Sequence, residues 1–299
     1  MPILFVLLLI HESGMNKVYF MEEKKIIREF IKQEPIGFVS FILLLAVIIP
    51  AVFAPVFAPY DPYEGDLSNS LSAPSMSHIL GTDELSRDIF SRIIFGTRTS
   101  LMMGFGPTSI NLILGALIGM YSGLAGKRTD NIIMRIVDII LSFPFMILAM
   151  AIVYNLGASL FNLFLALVIV GWASIARVVR TETISLKENL YIEAAKSMGA
   201  GTFNIMIRHI LPNILPTLIV LYTMSVPSAI LSEAGLSFLG FGAQPPSTSL
   251  GIMIQKGKTY LFDAPWISLG PGFVLLIIAM SFNFLGDSIR KYFDIKIGK

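Results

Sequence analysis

Five stretches of this sequence are long, apolar and nearly free of charge, and they limit the folds open to the chain. A helix crosses a hydrocarbon core of about 30 Å with about 20 apolar residues, because lipid offers no hydrogen-bond partners to an irregular backbone. The stretches are residues 36–58, 99–126, 136–176, 210–232 and 264–286. The third is long enough for two helices, and polar and Gly residues at 155–159 mark a turn near its middle. We therefore predict an all-α membrane protein with six transmembrane helices.

The distribution of Lys and Arg predicts which side of the membrane each loop faces. These residues are retained on the cytoplasmic side, and most of the 22 fall in four segments on one side of the six helices. The segments are residues 1–35, 122–136, 177–209 and 287–299. Both termini are therefore predicted to be cytoplasmic. The resulting divisions are an N-terminal cytoplasmic segment (1–35), a first transmembrane helix (36–58), an extracytoplasmic loop (59–97) and a cytoplasmic tail (288–299).

Residues 1–14 form a separate short segment that is apolar at positions 2–10. It lacks the basic beginning of a secretory signal and is too short to span a bilayer. We interpret it as a misassigned start, with Met15 or Met21 beginning the natural protein. The alternative is a short segment that lies at the membrane interface.

Composition and the absence of known motifs disfavour several functions. Hydrophobic residues make up 55% of the chain, there is no Cys, and the formal charge of +2 is spread thinly, so neither thiol chemistry nor nucleic-acid binding is predicted. The sequence contains no phosphate-binding Gly-x-x-x-x-Gly-Lys-Ser/Thr loop, no His-Glu-x-x-His zinc motif and no Gly-x-Ser-x-Gly elbow. We predict no catalytic residue and no metal site, which disfavours an intramembrane hydrolase.

Two acidic residues, Asp138 and Glu233, lie nearest the hydrocarbon, and a charge inside a membrane is by default a functional hypothesis. Asp138 follows Arg135 by three residues, so we predict that the two side chains pair on one helix. Glu233 closes its span near the outer surface, and the sequence leaves open whether its role is structural or functional. A secondary transporter or channel remains a rival class, but it would be expected to carry charged residues near the middle of the membrane.

Glycines and prolines within the spans are predicted to shape how the helices pack or move. Gly115, Gly119 and Gly123 recur every four residues, the spacing that lets two membrane helices approach closely. Pro144 and Pro227 each remove a backbone hydrogen bond and favour a kink. We interpret them as fixed bends in preference to hinges of a gate.

The cytoplasmic loop at 186–212 is long for a connector and rich in helix-forming residues. We predict two short helices that meet at a corner, with Gly199 and Gly201 supplying the backbone freedom that ends a helix. Thr202 is expected to cap the second helix. Ala194 and Ala195 make one side of the first helix slim. The loop is therefore predicted to form a bent helical projection that inserts into a groove on another protein.

This loop resembles that of the permease subunits of type I ATP-binding-cassette importers, in particular the second permease of oligopeptide, dipeptide and nickel uptake systems. The family pattern is Glu-Ala-Ala, three residues, Gly, nine residues, Ile, one residue, then Leu-Pro. The matching positions are Glu193, Ala194, Ala195, Gly199, Leu211 and Pro212. His209 stands at the Ile position, as is common in the peptide and nickel subgroup. Further similar runs lie at 81–84, 134–138, 236–246 and 283–287, so the resemblance extends from residue 36 to about residue 295.

The resemblance implies a pore-forming, non-catalytic subunit with the transmembrane fold of type I importers. Residues 98–287 would form the permease core, and the helix within 186–212 would be the coupling helix that sits in a groove of the ATPase. The implied partners are a sister permease, two ATPase subunits that bind the ATP and Mg²⁺, an extracytoplasmic substrate-binding protein and the lipid bilayer. This chain would hold no cofactor of its own. The implied location is the inner membrane of a bacterium or archaeon, and the cargo is a dipeptide or oligopeptide, with a nickel chelate as the alternative.

Overall fold

The computed structural model describes residues 33–65, 69–244 and 246–297, with side chains described up to residue 292. The misassigned start predicted for residues 1–14 lies outside this range. The described residues form helices and loops with no β-strand. The helices are α1 (Pro35–Val52), α2 (Ala54–Phe57), α3 (Ile89–Leu124), α4 (Lys127–Ser142), α5 (Phe145–Leu156), α6 (Leu160–Lys187), α7 (Leu190–Ser197), α8 (Thr202–Ile205), α9 (Leu211–Phe238), α10 (Leu250–Gly257) and α11 (Trp266–Ile297).

The helices that are long and apolar enough to cross a membrane are α1, α3, α6, α9 together with α8, and α11. Helices α4 and α5 pass the same test only as a pair, and they are bent by 88° at the break between them. The prediction of an all-α membrane protein is confirmed. The predicted number of six spans is reached when this bent pair is counted as one.

The break between α4 and α5 differs from the kinked but continuous span that the sequence predicts. Pro144 lies at the N-cap of α5, and Phe143 before it has an extended backbone with ψ of 142°. A residue that precedes proline is sterically excluded from the helical region, and Pro144 has no N–H to donate to the preceding turn. The helix therefore ends at Ser142 instead of bending.

Several helices begin or end outside the predicted bounds because their ends carry polar residues. Helix α3 begins at Ile89 and not at residue 99, so Arg92 and Arg98 lie within the helix and not in the outer loop. Asp88 caps this start, since its carboxylate accepts a hydrogen bond from the backbone N–H of Ser91 at 2.8 Å. Helix α9 continues to Phe238 and α11 to Ile297, beyond the predicted ends at residues 232 and 286.

Four apolar clusters hold the described helices together, and two of them bear on the loop and the outer region. One joins α1, α3, α9, α10 and α11 through buried residues such as Leu44, Leu101, Val226 and Ile278. The other joins α3, α6 and α9 to the loop that contains α7 and α8. This second cluster connects the loop directly to the ends of the long helices.

Candidate functional site

The segment from α7 through the turn at 198–201 to α8 projects from the ends of α6 and α9, and we call it the knob. Its inner side is apolar and fixed. Ile192 and Ala195 are three residues apart and so share one face of α7. Both are buried, and Ile192 belongs to the cluster that contains Met120, Val179 and Ile210. Any displacement of α7 therefore acts directly on side chains of α3, α6 and the segment leading into α9.

The outer side of the knob is apolar as well but has no cover in the described part of the chain. Leu190 and Met198 are each 82% exposed, whereas Phe203 on α8 is 71% exposed and lines an apolar cavity together with residues of α3, α4 and α6. Glu193 and Ala194 are exposed on α7. Large apolar side chains grouped at such exposure are typical of a surface that binds another protein.

Gly199 ends α7 in a left-handed backbone conformation, with φ of +82°. The N–H of Ala200 donates to the carbonyl of Ala195 at 3.0 Å, and the N–H of Gly199 donates to the carbonyl of Lys196 at 2.9 Å. These are the two hydrogen bonds of a Schellman motif, in which the residue at the position of Gly199 is usually Gly. A Cβ atom added there would meet no atom within 4 Å, so the requirement for Gly is conformational and not steric.

The second half of the loop differs from the prediction in two respects. Gly201 is the N-cap of α8 and no side chain caps the helix, so the predicted cap by Thr202 is wrong. Helix α8 is also not separate, because it passes through a π-helical turn at Met206–Ile210 into α9. Leu211 and Pro212 open α9 after that turn, and the wider turn accommodates a proline that has no N–H to donate.

His209, which stands where the family pattern has Ile, contacts another part of the loop. The ring of His209 lies 6.4 Å from the ring of Tyr191 on α7, centroid to centroid. This contact connects the first and last parts of the loop. The residues that match the family pattern therefore lie in one compact unit. Glu193 to Ala195 lie on α7, Gly199 ends that helix, and Leu211 and Pro212 begin α9.

The glycine stripe on α3 lies against α6. A Cβ added to Gly119 would lie 2.6 Å from the carbonyl oxygen of Ala176, and one added to Gly123 would lie 2.6 Å from the Cβ of Thr183. A Cβ on Gly115 would lie 2.7 Å from the Cβ of Ile175. The stripe therefore lies in a helix interface and not along an open path, and no side chain larger than hydrogen fits.

Two ion pairs connect α4 to α6. The Arg177 guanidinium donates to Asp138, and that of Arg180 donates to Asp130. The predicted pairing of Asp138 with Arg135 is therefore wrong. Spacing along the sequence identifies neighbours on one helix only, whereas this carboxylate finds its partner on the adjacent helix.

The sequence analysis does not predict a buried ionic cluster that lies where the outer loop meets α3. Arg87 lies 2.7 Å from the carboxylate of Asp83, and the Nε atom of Arg92 lies 3.4 Å from the same carboxylate. Arg92 also donates to the carbonyl of Pro62 at 2.8 Å and to the hydroxyl of Thr248 at 3.4 Å. Both Arg side chains are buried. The spacing of Asp83 and Arg87, four residues apart, is the only sequence signal for this cluster.

Lys256 on α10 belongs to the same outer region. Burial lowers the pKa of its ammonium group, and the positive charge of Arg87 lowers it further. The indole N–H of Trp266, at the start of α11, donates to the carbonyl of Thr82 at 3.2 Å. The loop before α3 is thus fixed to α11 directly and, through Arg92, to Thr248 just before α10.

Pro227 and Glu233 lie within α9, and both are buried. Glu233 has no exposed surface, and its two oxygens accept hydrogen bonds from Ser100 at 2.9 Å and from Ser237 at 2.6 Å. Among the described residues, no group of three or more His, Asp or Glu side chains could hold a metal ion. The hydrogen bond between Ser100 and Glu233 joins α3 to α9.

Comparison with protein families and solved structures finds consistent matches. A family model described as the inner membrane component of binding-protein-dependent transport systems matches residues 115–299. A second, described as the N-terminal transmembrane domain of oligopeptide transport permease C, matches residues 25–74. The chain is also similar in fold to a solved methionine ABC transporter, MetNI, with a TM-score of 0.55 and 23% identity over 67% of this chain and 95% of that chain.

Curated relatives cover nearly the whole chain. A probable D,D-dipeptide transport system permease protein of Escherichia coli K12 is 40% identical over 90% of each chain. A dipeptide transport system permease protein of Alkalihalophilus pseudofirmus is 40% identical over 89% of this chain and 88% of its own length. An oligopeptide transport system permease protein of Bacillus subtilis is 36% identical over 90% of this chain and 88% of its own length.

Proposed function

Because this chain belongs to the family of inner membrane components of binding-protein-dependent transport systems, we propose that it is the pore-forming permease subunit of an ATP-driven peptide importer. The single observation that carries the proposal is the knob. It exposes an apolar surface beyond the helix ends while its inner side is packed against α3, α6 and the start of α9. Such a unit can receive a push from another subunit and pass it to the membrane helices.

In this proposal the ATPase subunits contact the outer side of the knob. Leu190 and Met198 supply apolar contact area, and Glu193 supplies a charge that fixes orientation. When ATP draws the ATPase subunits together, Ile192 presses on the cluster around Met120 and Val179. A closely packed interior transmits such a displacement and does not absorb it.

Helices α3 and α6 then move as one body. The glycine stripe keeps their backbones in contact, and the ion pairs of Asp130 and Asp138 connect α4 to α6. The relative motion occurs against the corresponding helices of a sister permease. The pore opens toward a loaded substrate-binding protein on the outer surface, and ATP hydrolysis resets the assembly.

A dipeptide or oligopeptide is the proposed cargo. The three relatives described above are named as permeases for dipeptides, D,D-dipeptides and oligopeptides. These names favour a peptide cargo over the nickel alternative. The proposed orientation of the chain in the membrane follows the distribution of Lys and Arg. It places the knob in the cytoplasm and the outer ionic cluster on the side of the binding protein. Two ATPase subunits and one sister permease complete the proposed assembly, with ATP and Mg²⁺ bound on the ATPase subunits alone.

We expect the purified chain to hydrolyse no ATP by itself, because its sequence holds no phosphate-binding loop. Adding the ATPase subunits and the sister permease should give hydrolysis that the loaded binding protein stimulates. The measurement is phosphate release in detergent or lipid, with the isolated ATPase subunits as the control. Robust turnover by the purified chain alone would contradict this division of labour.

A further inference from the structure

Glu233 is a buried carboxylate to which the transport mechanism above gives no role. It lies in α9, four residues before the hydroxyl of Ser237 that donates to its Oε1 atom at 2.6 Å. The hydroxyl of Ser100 on α3 donates to its Oε2 atom at 2.9 Å. A carboxyl group without water requires such donors. The side chain of Glu233 thus joins α9 to α3.

Two serine hydroxyls hold the start of α10. The backbone N–H of Leu250 donates to the hydroxyl oxygen of Ser100 at 3.3 Å, and that of Ile252 donates to the hydroxyl oxygen of Ser249 at 3.4 Å. The first N–H groups of a helix have no partner inside the helix. The Ser100 hydroxyl donates its hydrogen to Glu233 and so keeps its lone pairs free to accept the N–H group of Leu250. The carboxylate therefore orients the Ser100 hydroxyl, which anchors α10.

The backbone around this anchor is closely packed. A Cβ added to Gly251 of α10 would lie 2.6 Å from the Cα of Ala234 on α9, and a Cβ added to Gly96 of α3 would lie 3.3 Å from the carbonyl carbon of Ser249. The start of α10 is thus wedged between α3 and α9. It cannot turn relative to them without breaking the hydrogen bond from Leu250 to the Ser100 hydroxyl that Glu233 orients.

The residues on either side of α10 contact the outer part of the molecule. Thr248, just before it, lies 3.4 Å from Arg92 of the outer ionic cluster, and Lys258 just after it lies 5.3 Å from the centroid of the Phe238 ring. Helix α10 itself has no exposed residue, so it lies between the outer ionic cluster and the interior of the helix bundle. One of its connections to α3 and α9 runs through Ser100 to Glu233.

We propose that Glu233 is a positioning residue that fixes α10 to α3 and α9, so that docking of the binding protein on the outer surface is transmitted to the membrane helices. This proposal rests on the proposed function as a binding-protein-dependent importer. Helix α3 carries the glycine stripe that leads to α6 and the knob, so the anchor and the knob lie at opposite ends of the same packed helices. Removal of the carboxylate should uncouple the outer surface while leaving the ATPase contact intact.

The test uses the complete complex of both permeases, the ATPase subunits and a loaded binding protein. The measured quantity is the ratio of stimulated to basal ATP hydrolysis. Glu233→Ala is expected to lower this ratio by about 10-fold, within the range of coupling between distant sites, while basal hydrolysis on the partner subunits stays at the wild-type level. Glu233→Gln keeps one acceptor oxygen and should give an intermediate ratio. Ser228→Ala is the matched control, since that hydroxyl bonds only its own helix, to the carbonyl of Met224 at 3.3 Å.

A distance measurement separates this role from a general loss of stability. The chain has no Cys, so spin labels can be placed on Arg98→Cys in α3 and Thr259→Cys after α10, both exposed positions, with cysteine-free partner subunits. Glu233→Ala should broaden the distance distribution, and Ser228→Ala should not. Ser100→Ala gives the same test if Glu233→Ala does not assemble. It removes the hydroxyl that joins Leu250 to Glu233 and leaves the donor from Ser237 in place, so a smaller broadening and a smaller loss of stimulation are expected.

The outcomes distinguish this proposal from the proposed function. If the wild-type complex is not stimulated by a loaded binding protein, the importer assignment itself fails. If the wild-type complex is stimulated and the Glu233 and Ser100 variants keep both the stimulation and the narrow distance, the anchor role is overturned. Loss of stimulation with an unchanged distance would also overturn it, because the effect would then not pass through α10.

Discussion

Gly199→Val is expected to lower ATP-driven peptide uptake by about 10-fold or more while the protein still inserts and assembles. The backbone of Gly199 has φ of +82°, and the left-handed region costs an L-residue roughly 1–2 kcal/mol, which is about a 5–30-fold change in a two-state population. The space around the position is open, so the added side chain does not disturb the core. The strain acts on the turn alone and reorients the knob. The measurement is uptake of a labelled dipeptide by membrane vesicles that contain the complete complex.

Two variants control for this result. Gly199→Asn should retain most of the uptake, because Asn tolerates the left-handed conformation better than other residues. Gly201→Ser changes a second glycine of the same turn, where φ is −66° and the surrounding space is also open, and should transport normally. Wild-type uptake by Gly199→Val would show that the geometry of this turn does not matter for coupling.

Gly119→Ala is expected to lower the thermal stability of the folded protein and Gly119→Val to prevent its accumulation. Helix propensity alone predicts the opposite sign, since replacing Gly by Ala inside a helix stabilises it by about 1 kcal/mol. The added Cβ would, however, lie 2.6 Å from the carbonyl oxygen of Ala176 and 3.0 Å from the backbone nitrogen of Arg180. Backbone atoms cannot move aside by a rotamer change, and overpacking of this kind costs typically about 1–3 kcal/mol.

The measurement is the unfolding temperature in detergent together with the yield of monodisperse protein. Gly126→Ala is the matched control, because a Cβ at Gly126 would meet no atom within 4 Å. A rise in unfolding temperature for Gly119→Ala would mean that α3 and α6 are not in the close contact described above.

The sequence is sufficient to locate the long helices and the knob, because both depend on local patterns. A run of about 20 apolar residues identifies a span without any knowledge of its neighbours. The turn at Gly199 is likewise a local event, in which a glycine ends a short helix. The projection between α6 and α9 and the need for glycine at that position could therefore be predicted.

Features that depend on contacts between helices could not be predicted in this way. The partner of Asp138 lies on the next helix, at Arg177, and not at the helical spacing that points to Arg135. Arg92 resembles a loop residue in sequence because it is charged, yet the carboxylate of Asp83 allows it to be buried inside α3. The surroundings of Glu233 come from α3 and α10, far away in sequence, so its role could not be decided from its position near a helix end.

The bend between α4 and α5 illustrates a different limit. The sequence identifies Pro144 as a disruption but does not determine the angle that follows, because a proline can kink a helix or end it. The angle of 88° depends on how α4 and α5 each pack on α6. Such angles are properties of the packed bundle and not of the local sequence.

Cross-linking from the knob tests the central claim most directly, namely that the knob is where the ATPase subunits act. Met198→Cys places a single thiol at a position that is 82% exposed, and Asp263→Cys places one at an exposed position at the opposite end of the molecule. In the assembled complex, a short bifunctional reagent should join Met198→Cys, and not Asp263→Cys, to an ATPase subunit. An ATPase adduct from Asp263→Cys with none from Met198→Cys would contradict both the proposed orientation and the proposed role of the knob.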